Sequence, residues 1–133
     1  MVVGLEDRQI KYLGDTHEGR KHDKKICDEE EIKCPEGSTC YRDNGLQGYE
    51  MEGVEIRESK KRARNGKLAE KEKESNRLIS GARVIVEHII SGIKRCRIVK
   101  DVFRNTTPGY DDLVMEIACG LHNHRSHWRS ASY

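Results

Sequence analysis

The stretch RVIVEHIISGIKRCRIV, residues 83–99, decides how the second half of the chain folds. From Ile79 onward, apolar residues recur at intervals of three and four, which predicts an amphipathic helix. The apolar stripe consists of Ile79, Ala82, Val86, Ile89 and Ile93. At about 100° per residue, Glu87 lies about 130° from the centre of this stripe, with Arg83 about 40° and Lys94 about 20° to one side of it. The helix is therefore expected to pack one face and to present Arg83, Glu87 and Lys94 as a ridge.

This ridge has two interpretations. Arg83 and Glu87 are one helical turn apart, and an exposed ion pair at that spacing stabilises a helix by only a few tenths of a kcal/mol. Alternatively, the carboxylate of Glu87 serves a metal or another polar site while the opposite face keeps its helix in place. Spacing alone favours the ion pair.

Composition limits the class of protein. The chain has 133 residues, which suits one modest domain, and 36% of them are charged. The net charge is +2, but acids dominate residues 28–31 and bases dominate 57–67 and 94–104. No run approaches the roughly 18 apolar residues of a membrane span, and because charges begin at Glu6 the first residues do not show a signal-peptide pattern. Five irregularly spaced cysteines predict reduced thiols, so a cytoplasmic protein without membrane contact is expected.

The order of elements predicts an α/β or α+β layer, with strands first and helices only in the second half. The predicted elements are two strands within 1–16, a helix starting at His22-Asp23, strands at STCYRD (38–43) and GVEI (53–56), a helix of about thirty residues from Leu68, and a last helix over 112–123. Residues 126–133 are expected to form a tail.

Two segments carry a resemblance to a known family. RVIVEHIISGIKRCRIVKDVFRN (83–105), followed by DDLVMEIACGLHNHR (111–125), strongly resembles the C-terminal end of DDE-class insertion-sequence transposases, with the bacterial relatives of Harbinger-like endonucleases as the closest group. The third catalytic acid of that family lies in a helix reading R-V-x-V-E-H, which implies Glu87. Arg83, Glu87 and Lys94 also fit the spacing of a Y-x2-R-x3-E-x6-K signature, although Ser80 stands in the place of the tyrosine.

The resemblance continues upstream and covers about residues 9–125. YRDNGLQGYE (41–50) is similar to the family segment that carries the second catalytic acid, which implies Asp43, although Leu46 replaces the usual tyrosine. THEGRKHDKKI (16–26) and the basic segment from Ser59 resemble the family's connecting segments.

The resemblance implies a partial ribonuclease-H-like α/β fold, a mixed sheet with flanking helices that lacks its first strand, over residues 1–125. Asp43 and Glu87 would hold Mg²⁺ or Mn²⁺ for cleavage of transposon-end DNA and strand transfer. The basic residues that contact DNA would be Arg83 and Lys94, together with a loop that contains Lys60, Lys61, Arg62 and Arg64. If this loop does not bind DNA, it is simply a run of charged residues that are exposed to solvent.

The family's first acid, in a D-G-T segment, has no match in the chain. The chain is thus expected to be the C-terminal half of a nucleoid-associated transposase, inactive alone, whose partner is an N-terminal half or a full-length transposase. A non-catalytic remnant that binds DNA or a full-length partner is the alternative, and a small helical interaction protein is a third.

Two other chemistries are disfavoured. A zinc site built from Cys27, Cys34 and Cys40 with His17 and His22 lacks any C-x2-C pair. HNHR at 122–125 suggests an HNH nuclease, but adjacent helical residues point in different directions and cannot form one site.

Overall fold

A computed structural model describes residues 1–17, 19, 21–42, 46, 48–60 and 69–130, except for the side chains of Asp23 and Ser130. Four residues predicted to act in the site, Asp43, Lys61, Arg62 and Arg64, lie outside the described residues. The chain divides into two compact units. The terminal unit contains residues 1–16 and 83–133, and the middle unit contains residues 17–82.

The architecture is mixed α/β, as the sequence predicts. The strands are β1 Val2–Val3, β2 Ile10–Tyr12, β3 Thr39–Tyr41 and β4 Glu55–Arg57; the helices are α1 Asp23–Glu30, α2 Glu70–Ile93, α3 Arg97–Lys100 and α4 Tyr110–Ser130. The strands form two separate two-stranded sheets. None of the described helices is long and apolar enough to cross a membrane.

Helix α4 is longer than predicted. It begins at Tyr110 and continues to Ser130, so the predicted end at residue 123 is wrong and residues 126–130 are helical. No proline or glycine interrupts the segment after Gly120, and His127 and Arg129 in the last turn complement the negative end of the helix dipole. Asp111 and Asp112 occupy the first turn, where acids are favoured.

In the terminal unit, the first two strands form an antiparallel hairpin. Val2 pairs with Tyr12 and Val3 pairs with Ile10, with a register shift between them. Asp7 closes the turn, because its carboxylate pairs with Lys11 and accepts a hydrogen bond from the backbone N–H of Gln9 at 3.1 Å. The Lys11 ammonium, helped by the Gln9 N–H, holds the pKa of Asp7 below its usual value.

The core of the terminal unit lies where this hairpin meets helices α2 and α4. It consists of Ile10, Ile89, Ile93, Ala118 and Cys119, and Ile89 retains only 1% of its surface. Gly92 lets the two helices approach closely, because a Cβ at this position would lie 2.5 Å from Nδ1 of His122. The second half of α2 is thus fixed to α4 by apolar burial.

In the middle unit, β3 and β4 pair in parallel, with Thr39 opposite Glu55 and Tyr41 opposite Arg57. The backbone N–H of Gly37 donates to the carbonyl of Gly53 at 2.8 Å, and both glycines have positive φ, a conformation that side chains disfavour. Both strands were predicted from the sequence.

Candidate catalytic site

Helix α2 carries the ridge that contains Glu87. Ile79, Ala82, Ile89 and Ile93 are buried and Val86 is partly buried, so the predicted apolar stripe is confirmed. Arg83 and Glu87 are exposed on the other side of the helix. Lys94 follows the helix end and is exposed too, and its backbone N–H donates to the Ile90 carbonyl at 2.9 Å, which extends the helical geometry by one residue.

The carboxylate of Glu87 is open to an external ligand. Among the described residues, none forms a hydrogen bond or ion pair with this carboxylate, so the Arg83–Glu87 ion pair of the first interpretation is not formed. Ile89, only two residues along, is the most deeply buried side chain of the core. The anchored helix fixes the backbone of Glu87, while the exposed side chain keeps its rotamer freedom.

Ser80, which stands in the place of the signature tyrosine, turns toward its own helix. Its hydroxyl donates to the Asn76 carbonyl at 2.9 Å, one turn earlier. Asn76 in turn binds Lys60, because its side-chain amide accepts from the Lys60 N–H at 3.0 Å and donates to the Lys60 carbonyl at 3.0 Å. This pair of hydrogen bonds fixes residue 60 against the first half of α2.

Lys60 begins the predicted basic loop. Its ammonium lies 3.0 Å from the Glu72 carboxylate and lowers the pKa of Glu72, with a further contribution from the Ala69 N–H. Lys60 is still largely exposed on its side chain, so it can exchange this partner for a phosphate. The other bases of the loop lie outside the described residues.

Arg42 is a structural residue that the sequence analysis did not identify. It follows β3 directly and precedes Asp43, and its side chain is only 10% exposed. The guanidinium pairs with Glu58 and donates to the Tyr49 carbonyl, while the Arg42 N–H donates to the Arg57 carbonyl at 3.2 Å. These contacts fix the end of β3, the strand that leads to the predicted second acid. In the sequence, only the position of Arg42 next to Asp43 could have indicated that Arg42 supports this end of the strand.

Side chains of the HNHR segment form structural hydrogen bonds within the terminal unit. Asn123 accepts from the Ile10 N–H at 2.7 Å and donates to the Ile10 carbonyl at 2.9 Å, which completes the bonding of β2. Nε2 of His122 lies 3.1 Å from the Arg8 carbonyl oxygen, and His124 accepts from the Trp128 indole N–H at 3.0 Å. Each side chain has a different partner, as the helical geometry predicts.

The histidines and cysteines of the middle unit do not gather around a common point. His17 lies 3.1 Å from a carboxylate oxygen of Glu30, and within the described ranges no three His, Cys, Asp or Glu side chains form a group that could hold a metal ion. Among the described residues, Glu87 likewise belongs to no such group.

One protein-family model matches most of the chain. The model of the DDE superfamily endonucleases matches residues 1–123, so the chain belongs to this family. The resemblance to DDE-type transposases is thereby confirmed.

A comparison with individual proteins finds a relative that is named as a transposase. The chain is 27% identical over 124 residues to a protein named "Probable transposase for insertion sequence element IS702" from Microchaete diplosiphon. The match covers 93% of this chain and 44% of the relative, so the chain spans less than half the length of that protein. No solved structure matches the chain.

Proposed function

We propose that the chain supplies the second and third acids of a DDE transposase catalytic site. In this proposal Asp43 and Glu87 hold a divalent metal ion, Mg²⁺ or Mn²⁺, and the parent reaction is cleavage of DNA at transposon ends followed by strand transfer. The observation that carries the proposal is the exposed Glu87 carboxylate on a helix anchored by Ile89, inside a family match that includes it. The expected architecture around it is ribonuclease-H-like.

The donor chemistry suits such a metal. Mg²⁺ prefers oxygen ligands and keeps several waters, so a few carboxylates suffice to bind it. When bound, two such ions activate a water or 3′-hydroxyl and stabilise the leaving oxygen of a phosphodiester. The part of the protein is to hold the carboxylates rigidly, and the burial of Ile89 and Ile93 supports that role for Glu87.

Basic residues next to the acid suit a DNA substrate. Arg83 and Lys94 flank Glu87 on the exposed ridge, where cations can bind the phosphates beside the reacting bond. Lys60, with Lys61, Arg62 and Arg64, would bind the DNA backbone farther away, in a manner that weakens with salt. A net charge of only +2 makes this binding depend on the local clusters rather than on the whole chain.

A polypeptide of these 133 residues offers two of the three family acids. It is therefore expected to bind metal weakly and to show little or no nicking by itself, since a misplacement of about 1 Å can cost about a hundredfold in rate. The missing acid would come from an N-terminal transposase half or from a full-length transposase.

The test is a complementation assay with labelled transposon-end DNA and Mn²⁺. The purified chain is incubated alone and with a transposase fragment that carries the first acid. We expect cleavage only in the mixture, its loss with Glu87→Gln, and its retention with Glu74→Gln, a matched control because Glu74 is an exposed acid on the same helix.

Two outcomes would contradict the proposal. Cleavage by the chain alone that survives both Asp43→Asn and Glu87→Gln would place the catalytic site elsewhere. DNA binding without cleavage in every mixture would favour a non-catalytic remnant that binds DNA or a full-length partner.

A further inference from the structure

Helix α4 presents a second apolar face that the core of its own unit does not use. Five large apolar side chains are between 38% and 58% exposed on this helix: Tyr110, Leu113, Ile117, Leu121 and Trp128. At 100° per residue, all five lie within about 40° of Ile117 around the helix axis. They form one narrow stripe, called here the outer stripe, which extends for about 27 Å along the helix.

The outer stripe lies opposite the buried face of α4. Ala118, Cys119 and Met115, which pack in the core of the terminal unit, lie between about 100° and 200° from Ile117. Helix α4 is therefore apolar on two opposite faces. One face is buried in the core of the unit, and the other stays largely exposed, although Tyr110 at its start stacks on Phe103 with ring centroids 6.1 Å apart. His124, which accepts from the Trp128 indole N–H, lies in the same sector between Leu121 and Trp128. Exposed apolar surface of this extent is typical of an interaction site.

The spacing of the outer stripe fits a second copy of the same helix that runs antiparallel. Reflection about residue 119 exchanges Ile117 with Leu121 and Tyr110 with Trp128. In such a pair the two aromatic ends face each other, and the two aliphatic side chains pack at the centre. A twofold interface requires a surface that is complementary to itself, and four of the five side chains meet that requirement, while Leu113 is exchanged with Arg125.

The charges of α4 favour the same arrangement. All acids of the helix lie in its first half, at Asp111, Asp112 and Glu116, and both arginines lie in its second half, at Arg125 and Arg129. Around the axis, Asp111, Arg125 and Arg129 lie on the same flank of the outer stripe, at about 80° to 120° from Ile117. An antiparallel partner brings Asp111 of one copy beside Arg125 and Arg129 of the other, at both ends of the pair.

We propose that the outer stripe is a dimerisation surface on which α4 pairs antiparallel with α4 of a second copy of this chain. The inference is independent of the catalytic proposal, because none of its residues belongs to the site around Glu87. A single pair of helices forms a small interface, so the dimer is expected to dissociate at low protein concentration.

The fluorescence of a tryptophan in the outer stripe can report dimer formation. Trp128 is the single tryptophan, and it is 58% exposed in the outer stripe. In the antiparallel pair it faces Tyr110 of the second copy, so its emission should shift to shorter wavelength as the dimer forms. Sedimentation and Trp128 emission are measured on the full chain from about 1 µM to about 1 mM, a range that spans weak complexes.

The first set of variants tests the stripe. Ile117→Gln and Leu121→Gln should each weaken dimerisation by about tenfold or more, since each residue occurs twice at the centre of the interface. Val102→Gln is the matched control, because Val102 is an exposed apolar residue of the same unit outside the stripe. Circular dichroism verifies that each variant keeps its helices, and the changes are at exposed positions that the core does not need.

The second set tests the direction of the pairing. Asp111→Arg alone, and Arg125→Asp/Arg129→Asp alone, place like charges together in either homodimer and should weaken both. A mixture of the two proteins restores opposite charges at both ends, and it should associate more tightly than either protein does alone.

The proposal fails if the chain stays monomeric over the whole concentration range. It fails equally if association occurs but Ile117→Gln and Leu121→Gln weaken it no more than Val102→Gln does. If the mixture associates no better than its components, the antiparallel arrangement is wrong.

Discussion

The two units of the molecule are stabilised by different interactions. The terminal unit contains the whole hydrophobic cluster around Ile89. Among the described residues, most ion pairs lie in the middle unit, for example Lys21–Glu29, Arg42–Glu58 and Lys60–Glu72. An exposed ion pair contributes little, and a buried one loses much of its Coulombic gain to desolvation, whereas a buried isoleucine contributes about 1.5–3 kcal/mol; the terminal unit should therefore be the more stable one. The same unit carries Glu87, which needs a fixed position.

Removing buried apolar volume gives the largest expected effect. Ile89→Ala should reduce the free energy of unfolding by about 2–5 kcal/mol, because it leaves a cavity at the most buried position. Ile56→Ala, in partly buried β4 of the middle unit, serves as the comparison and should cost clearly less. Urea denaturation measures both. Equal losses would mean that the two units do not differ in the way described.

The second-largest effect on stability is expected from the hydrogen bonds of Asn123. Asn123→Asp preserves size but removes the amide donor and places an oxygen against the Ile10 carbonyl, so it should cost about 1–3 kcal/mol. Hydrogen exchange of the Ile10 amide should accelerate in the same variant. The exposed position Arg125→Gln, two residues along the helix, is the control. Unchanged stability would show that β2 does not depend on this bridge.

Arg42 tests whether the middle unit depends on polar contacts. Arg42→Ala removes the partner of Glu58 and the donor to the Tyr49 carbonyl, and it should cost about 1–3 kcal/mol. Arg57→Ala removes a solvent-exposed ion pair with Glu55 and should have a much smaller effect on the urea midpoint. If the two variants behave alike, burial of the Arg42 guanidinium does not matter.

The smallest expected difference between the two units concerns the rate at which their cysteine thiols are labelled. Burial raises the pKa of the Cys119 thiol in the terminal unit, so less of it is thiolate at pH 8 and its alkylation should be slow. Cys34 in the middle unit is partly exposed and should react before Cys119. Mass spectrometry of iodoacetamide-treated protein gives the order of reaction. Labelling of Cys119 before Cys34 would show that the terminal unit opens more readily.

Local patterns explain why part of this structure could be predicted. The recurrence of apolar residues from Ile79 to Ile93 is a property of one helix, so its buried face and the exposure of Glu87 follow from spacing. The bridge between Asn123 and Ile10 joins residues 113 positions apart, and no local pattern indicates it. The end of α4 was missed because the predicted helix stopped at residue 123, although no proline or glycine follows before residue 130. Arg42 acts through Glu58, a partner that becomes its neighbour only when β3 and β4 pair.

Metal binding at Glu87 is best tested by paramagnetic broadening in an NMR titration of the chain with Mn²⁺. We expect the amide signals around Glu87 and Asp43 to broaden first, because weak binding suffices for this effect. Glu87→Gln should abolish the broadening of residues 83–94, and Glu74→Gln should leave it unchanged. Broadening centred on the acidic run at residues 28–31, or broadening near Glu87 that persists in Glu87→Gln, would contradict the assignment of Glu87 as a metal ligand.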